Sequence, residues 1–229
     1  RNDTQPSHVI ISTGTGSGKT ECFLVPIFAR LLEEKNRTWT QQPAPLHEWW
    51  SSSGNWKASR ADQRMQRTAA TRALILYPTN ALVEDQVTRL REALDKLRAG
   101  DSSLSSGPSF FFGRYTGSTW GGTSSPDNPD TKDLKRVSAQ MTDACRASDS
   151  SPDIRKYLPD PHRGEMLTRW DMIADPPDIL ISNYSMLRVI LQRRNESPML
   201  ASTRSWLASD PENIFTLVID ELHIYRGTM

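Results

Sequence analysis

Cysteine is nearly absent: Cys22 and Cys145 are the only two in 229 residues. Cys22 falls in a predicted helix, which argues against a disulfide framework. Long apolar runs are missing as well, and nothing approaches the roughly 20 residues needed to cross a bilayer. The opening stretch, Arg1 to Pro6, lacks a signal-peptide pattern. The expectation is a cytoplasmic chain with no membrane partner. No internal repeat is present. Charge of one sign is not in excess either, because the net charge is +1, so bulk charge announces no polyanionic partner. The composition is 36% hydrophobic and 24% charged, with a mean hydropathy of −0.58. That balance fits a compact core carrying polar surface insertions better than wholesale disorder. The length suffices for one well-buried α/β domain or two small ones.

Short β-rich runs alternate with helical periods, which predicts a mostly parallel sheet with crossover helices. The first run, Val9-Ile10-Ile11-Ser12, reads as a buried strand entering a Gly-rich turn. A helix through about Glu34 follows, with Phe23, Ile27 and Leu31 on one face and a kink expected at Pro26. The second strand is Ala73 to Tyr77. Behind it lies the clearest amphipathic helix, in which Val83, Val87, Leu90, Leu94 and Leu97 recur at helical spacing until Gly100. A third strand is expected near Ser109 to Gly113, a fourth over Asp178 to Ser182 and a fifth over Ile214 to Ile219. Two segments break the alternation and read as insertions, at about 36–71 and 118–165. The first is polar yet holds Trp39, Trp49, Trp50 and Trp56, suited to packing on a neighbouring domain or to stacking on bases. The second, rich in Ser, Asp and Pro with one short helix around Lys132 to Arg146, reads as a mobile surface excursion. A basic stripe from Arg60 to Arg98 (Arg60, Arg64, Arg67, Arg72, Arg89, Arg91, Lys96, Arg98) is either a phosphate-attracting face or an ordinary solvated one.

The stretch that carries chemistry is Thr13-Gly14-Thr15-Gly16-Ser17-Gly18-Lys19-Thr20-Glu21. It has the order strand, Gly-rich turn, helix that a phosphate cradle needs. Its glycines let backbone N–H groups converge on phosphates, and the helix N-terminus adds a positive dipole end. Lys19 is expected to reach the β- and γ-phosphates of ATP, and the Thr20 hydroxyl to ligate Mg²⁺. Thr13 stands where the general pattern asks for glycine. The second half of the site is Asp220-Glu221-Leu222-His223, at the C-terminal end of an apolar strand. Asp220 is expected to hold Mg²⁺, and Glu221 to act as general base on the attacking water. An acidic pair alone is weak evidence, often a helix cap or a solvated turn. Joined to the lysine loop on another strand, it is strong.

These motifs resemble, in order, those of superfamily 2 DExH-box helicases. Thr13 to Thr20 is similar to motif I, and Tyr77-Pro78-Thr79-Asn80-Ala81-Leu82-Val83-Glu84-Asp85-Gln86 to motif Ia. Tyr115-Thr116-Gly117 is similar to motif Ib, Ser182-Asn183-Tyr184-Ser185 to the turn after the fourth strand, and Asp220 to His223 to motif II. The flavour of Thr13–Glu21, Gly113–Gly117 and Leu222–Gly227 looks most like MrfA/YprA-type DNA helicases and the large helicases of anti-phage systems such as Druantia and DISARM. The resemblance implies a three-layer RecA-like α/β domain over 1–229, with ATP and Mg²⁺ as cofactors. It implies nucleic-acid contacts at Pro78, Thr79, Asn80, Thr116, Gly117, Asn183 and Ser185, and a coupling role for His223. Short hydroxyl side chains at helix N-termini suit backbone contacts without sequence information, although each is equally suited to capping.

By the same resemblance, a coupling motif III and a second RecA-like lobe with its arginine fingers are absent from this sequence. The expectation is a piece of a larger protein, inactive alone, whose partners are DNA, that second lobe, further domains and other defence-system subunits. RNA in place of DNA stays open, because backbone contacts do not read the 2′-hydroxyl. A non-catalytic ATP-dependent clamp is a different class, which intact Lys19, Thr20, Asp220 and Glu221 argue against. A small-molecule kinase would leave the motif Ia and Ib likenesses to coincidence.

Overall fold

A computed structural model describes residues 8–12, 18–39, 44–51, 56–101, 104, 110–122 and 132–225. Five strands form one all-parallel sheet: β1 (Ala73–Tyr77), β2 (Phe112–Tyr115), β3 (Glu165–Met166), β4 (Ile179–Asn183) and β5 (Thr216–Ile219), in the order β3-β2-β4-β1-β5. The central pair is buried on both faces, which is why Ala73-Leu74-Ile75-Leu76-Tyr77 reads as a continuous apolar run rather than an alternating one. Its odd members, with Ile179 and Ile181, face one core, while Leu74, Leu76 and Leu180 face the other.

The first core is covered by α1 (Lys19–Thr38) and α2 (Asn80–Gly100). Helix α1 buries Leu24, Ile27, Phe28 and Leu31 and runs on through Pro26 without interruption. Helix α2 buries the stripe Val83, Val87, Leu90 and Leu94, and each such side chain contributes roughly 1.5–3 kcal/mol of transfer free energy. The opposite core takes α4 (Arg169–Ala174), α5 (Tyr184–Gln192) and α6 (Ser197–Ser209). The expected three-layer α/β architecture is therefore present.

One strand expectation is corrected. Residues 8–12 are not in the sheet, and Val9 and Ile10 are 76% and 89% exposed. A strand this short holds its shape only through a ladder with a neighbour, and among the described residues none offers Val9–Ser12 one. The outer edge of β5 likewise has no described partner, leaving Leu217 and Ile219 exposed.

The two insertions pack on each other. Helix α3 (Lys132–Ser150) presents Leu134, Val137, Met141 and Cys145 to Trp49, Trp50 and Trp170, forming a satellite core. The tryptophans meet edge to face, Trp49 against Trp50 and Trp170 with centroids 5.8 and 6.1 Å apart. The second excursion is thus largely folded, and at its end Glu165 pairs into the sheet as β3.

The basic stripe divides: Arg64, Arg89 and Lys96 are solvated, as one of the two expectations had it, but three members are neither solvated nor phosphate-facing. Arg60, Arg67 and Arg72 turn inward at the amino ends of the strands. Arg72 forms two 2.6 Å bonds to Glu34 and one of 2.9 Å to Asp178. Arg67 reaches Asp178 at 2.7 Å, and Arg60 donates to the Pro176 carbonyl. Glu34 also accepts the indole N–H groups of Trp39 and Trp206, fastening α1 to α6. Burial, with Arg67 alongside, pulls the Arg60 pKa down to about 9. Burial would raise the Asp178 carboxyl, but Arg67, Arg60 and Arg72 outweigh it and hold it below its ordinary value.

Candidate functional site

In a parallel sheet all strands end on the same side, and ligands of open α/β sheets sit beyond those carboxyl ends. The register aligns Tyr115 with Ser182, Tyr77 with Asn183, and Leu76 with Ile219. The four turns that follow therefore lie side by side: Thr116–Gly117, Asn183, Pro78–Asn80 and Asp220–Glu221. The expected contacts at these turns share one edge.

Two helix N-termini meet there. Thr79 caps α2, its hydroxyl accepting the Leu82 N–H at 3.4 Å, and Asn183 caps α5, its carbonyl accepting the Met186 N–H at 2.8 Å. The Asn183 amide then donates to Asn80 Oδ1 at 2.6 Å, tying the turns together. Thr79, Asn80 and Ser185 are exposed, and Pro78 is half-buried. Thr116 differs from that pattern. It is fully buried, its N–H donates to Thr119 Oγ1 and its hydroxyl pairs with Ser118, so Gly117 and Ser118 are what this loop exposes. The Arg169 guanidinium braces the loop from behind through the Thr116 and Gly117 carbonyls.

At the end of β5, the Asp220 N–H donates to the Leu76 carbonyl at 3.0 Å, docking the acidic pair onto β1. Asp220 Oδ1 accepts the Glu221 N–H at 3.0 Å, and Glu221 is held at φ 50°, the left-handed region that non-glycine residues rarely enter. Such strain costs of order 1–3 kcal/mol and gathers at functional sites. His223 Nδ1 lies 3.3 Å from Glu221 Oε2. Burial, and then the Asp220 carboxylate, push the neighbouring Tyr77 phenol well above its ordinary pKa, against the pull of Arg89. Tyr77 therefore stays protonated beside Asp220.

Of the Gly-rich stretch, Thr13, Gly14, Thr15, Gly16 and Ser17 lie outside the described residues. Gly18 caps α1 at φ 78°, and a Cβ there would meet nothing closer than Glu21 Oε2 at 3.5 Å. Its backbone angle, rather than space, calls for glycine. Lys19, Thr20 and Glu21 form the first turn of α1, with Lys19 and Thr20 half-buried. The Thr20 hydroxyl donates to Gln86 Oε1 of α2 at 3.3 Å.

Thr20 and Asp220 are hard oxygen donors of the kind Mg²⁺ takes, one hydroxyl and one carboxylate, with phosphate and water completing the shell. Among the described residues no three His, Cys, Asp or Glu side chains gather into a metal cage. Gln86 closes the stretch that resembles motif Ia, yet the resemblance assigns it no contact. Its position, three residues after Val83 and four before Leu90, puts a polar side chain at the margin of the apolar stripe, and that was the available signal.

The DEAD/DEAH box helicase family model matches residues 3–110. The chain is also 29% identical to Druantia protein DruE of Escherichia coli (strain UMEA 4076-1), over an alignment of 269 residues that covers 96% of this chain and 13% of that protein. The chain thus spans a small part of that relative's length. No solved structure matches it significantly. The two matches support a relationship to the helicase superfamily.

Proposed function

We propose that the chain is the nucleotide-binding lobe of an ATP-dependent DNA helicase or translocase of superfamily 2, of DExH type, working in anti-phage defence. What supports the reading is where the two halves are anchored. Thr20 is bonded to Gln86 of α2 and Asp220 to Leu76 of β1, the strand that leads into α2, whose N-terminus is tied to that of α5. The Druantia relative supports the defence setting.

In this reading Lys19 neutralises the β- and γ-phosphates, with the loop N–H groups and the α1 dipole. Mg²⁺, held by Thr20 and Asp220, supplies charge neutralisation on the phosphate oxygens when bound. Glu221 accepts the proton of the attacking water, and His223, in contact with its carboxylate, relays its position. Pro78, Thr79, Asn80, Gly117, Asn183 and Ser185 hold a strand by its backbone, with the Thr116 hydroxyl shaping the loop from inside. A second lobe delivers arginine to the γ-phosphate, a contribution worth about 10³–10⁵ in rate.

The test is ATPase stimulation of the full-length protein by single-stranded DNA and by RNA of matched sequence. Stimulation by DNA is expected. Stimulation by RNA alone would make the protein an RNA motor, and turnover indifferent to either would overturn the motor reading.

A further inference from the structure

We infer that Gln86 is a positioning residue. It orients the Thr20 hydroxyl for Mg²⁺–nucleotide and transmits to it the state of the strand-facing end of α2. The inference rests on the nucleotide-site reading above. Thr20 Oγ1 donates its only proton to Gln86 Oε1 at 3.3 Å. A hydroxyl has one hydrogen and two lone pairs, so a proton committed to Gln86 leaves both lone pairs free for a cation. Without Gln86 the hydroxyl can rotate, and its proton competes for the position a cation would take. The partners that orient a metal ligand typically change metal affinity 10–100-fold when removed.

The other half of the argument is mechanical. Gln86 sits six residues into α2, about 9 Å along a continuous helix from Asn80 at 1.5 Å per residue. At that end Thr79 caps the helix and Asn80 is bonded to Asn183 of the neighbouring turn. Between the two ends Val83 is fully buried in the core, so α2 moves as a body or not at all. On its far side the Gln86 amide donates to Asp85 Oδ2 at 3.4 Å, and Asp85 is paired with Arg89, which fixes which way the Gln86 carbonyl points. One rigid element thus carries, at two points on its length, a candidate strand contact and the acceptor that orients a candidate metal ligand.

The experiment uses the full-length protein and equilibrium binding of a fluorescent ATP analogue, with and without Mg²⁺ and with and without single-stranded DNA. Gln86→Ala is expected to lose about tenfold of the Mg²⁺-dependent gain in affinity, to keep the Mg²⁺-free affinity, and to show a smaller effect of DNA on nucleotide binding. Gln86→Glu keeps the acceptor oxygen and is expected to recover most of the Mg²⁺-dependent gain. Thr20→Ala is expected to be no worse with Gln86→Ala added, since the two act as one unit. An unchanged Mg²⁺-dependent gain in Gln86→Ala overturns the inference, as does full additivity with Thr20→Ala. If Gln86→Ala does not fold, the same comparison made with Gln86→Glu and Gln86→Leu decides it, equal behaviour of the two counting against the role. Lys19→Ala is the control that separates the two levels. Nucleotide binding undiminished in Lys19→Ala sinks the site itself, whereas loss there with no effect at Gln86 sinks only the present inference.

Discussion

Replacing Asp178 by Asn should cost more stability than any exposed substitution in the chain. Asp178 is fully buried and is the point where two insertion-side arginines and the sheet meet. It accepts from Arg67 at 2.7 Å, from Arg72 at 2.9 Å and from the Phe111 N–H at 2.7 Å. The amide keeps the shape but removes the charge, leaving Arg60, Arg67 and Arg72 buried with Glu34 as the remaining carboxylate among their direct partners. Removing one member of a buried ion pair typically costs about 3–5 kcal/mol, because the remaining charge stays desolvated. Against a total of about 5–15 kcal/mol for a folded domain, that is a large share. At about 2–4 °C per kcal/mol for a chain of this size, the melting temperature should fall by on the order of 10 °C. Arg136→Ala is the contrast: Arg136 and its partner Asp133 are both more than half exposed, so screening should hold its loss to about 1 kcal/mol or less. Urea and thermal unfolding followed by circular dichroism measure both. An Asp178→Asn protein within about 0.5 kcal/mol of wild type would refute the claim that this network holds the insertion to the sheet.

Acid should expose the same carboxylate. Its folded-state pKa is depressed by the arginines, so its contribution is present above the unfolded value of about 4 and is lost as pH falls below it. Asp171, raised by burial, acts in the opposite sense, so a chain that gains stability as pH falls through about 4 would contradict the dominance of Asp178. In β2, Gly113→Ala places a Cβ 2.5 Å from Met172 Sδ and 3.2 Å from the Met166 carbonyl, predicting a loss of about 1–3 kcal/mol; a melting curve unchanged by it would contradict the close packing of α4 on the sheet. Single-strand affinity should fall about tenfold or more across a fourfold rise in salt, with little sequence preference; crosslinks confined to 118–165, with none near Thr79, Gly117 or Ser185, would contradict the assigned face.

Much of this architecture is legible in the residues because doubly buried strands leave plain marks. Ala73–Tyr77 and Ile179–Asn183 are unbroken apolar or small runs, and α2 writes its buried face as Val83, Val87, Leu90 and Leu94. Helix α6 leaves almost no trace, because only Met199 and Trp206 are buried in it, seven residues apart. The two-residue β3 is too short to signal anything. Val9–Ser12 has strand composition, but composition does not supply a neighbour to pair with. Charge misled in a similar way: Arg60, Arg67 and Arg72 look like a surface stripe because their acidic partners, Asp178 above all, lie up to 118 residues away in sequence, beyond the reach of any local pattern. At the site, Lys19, Thr20 and Asp220 announce themselves by spacing. The Gln86 contact and the inward turn of Thr116 are tertiary facts that no spacing encodes.

The central claim, that one edge of this sheet binds and hydrolyses ATP, is tested most directly by comparing Lys19→Ala with Glu221→Gln in the full-length protein. Nucleotide binding and turnover would be measured separately at saturating single-stranded DNA. Lys19→Ala should lose binding, because a charge-assisted phosphate contact disappears. Glu221→Gln should bind ATP about as tightly as wild type while turnover falls by about 10²–10⁴. Wild-type turnover in Lys19→Ala, or a Glu221→Gln protein that loses affinity yet keeps its rate, would contradict the account.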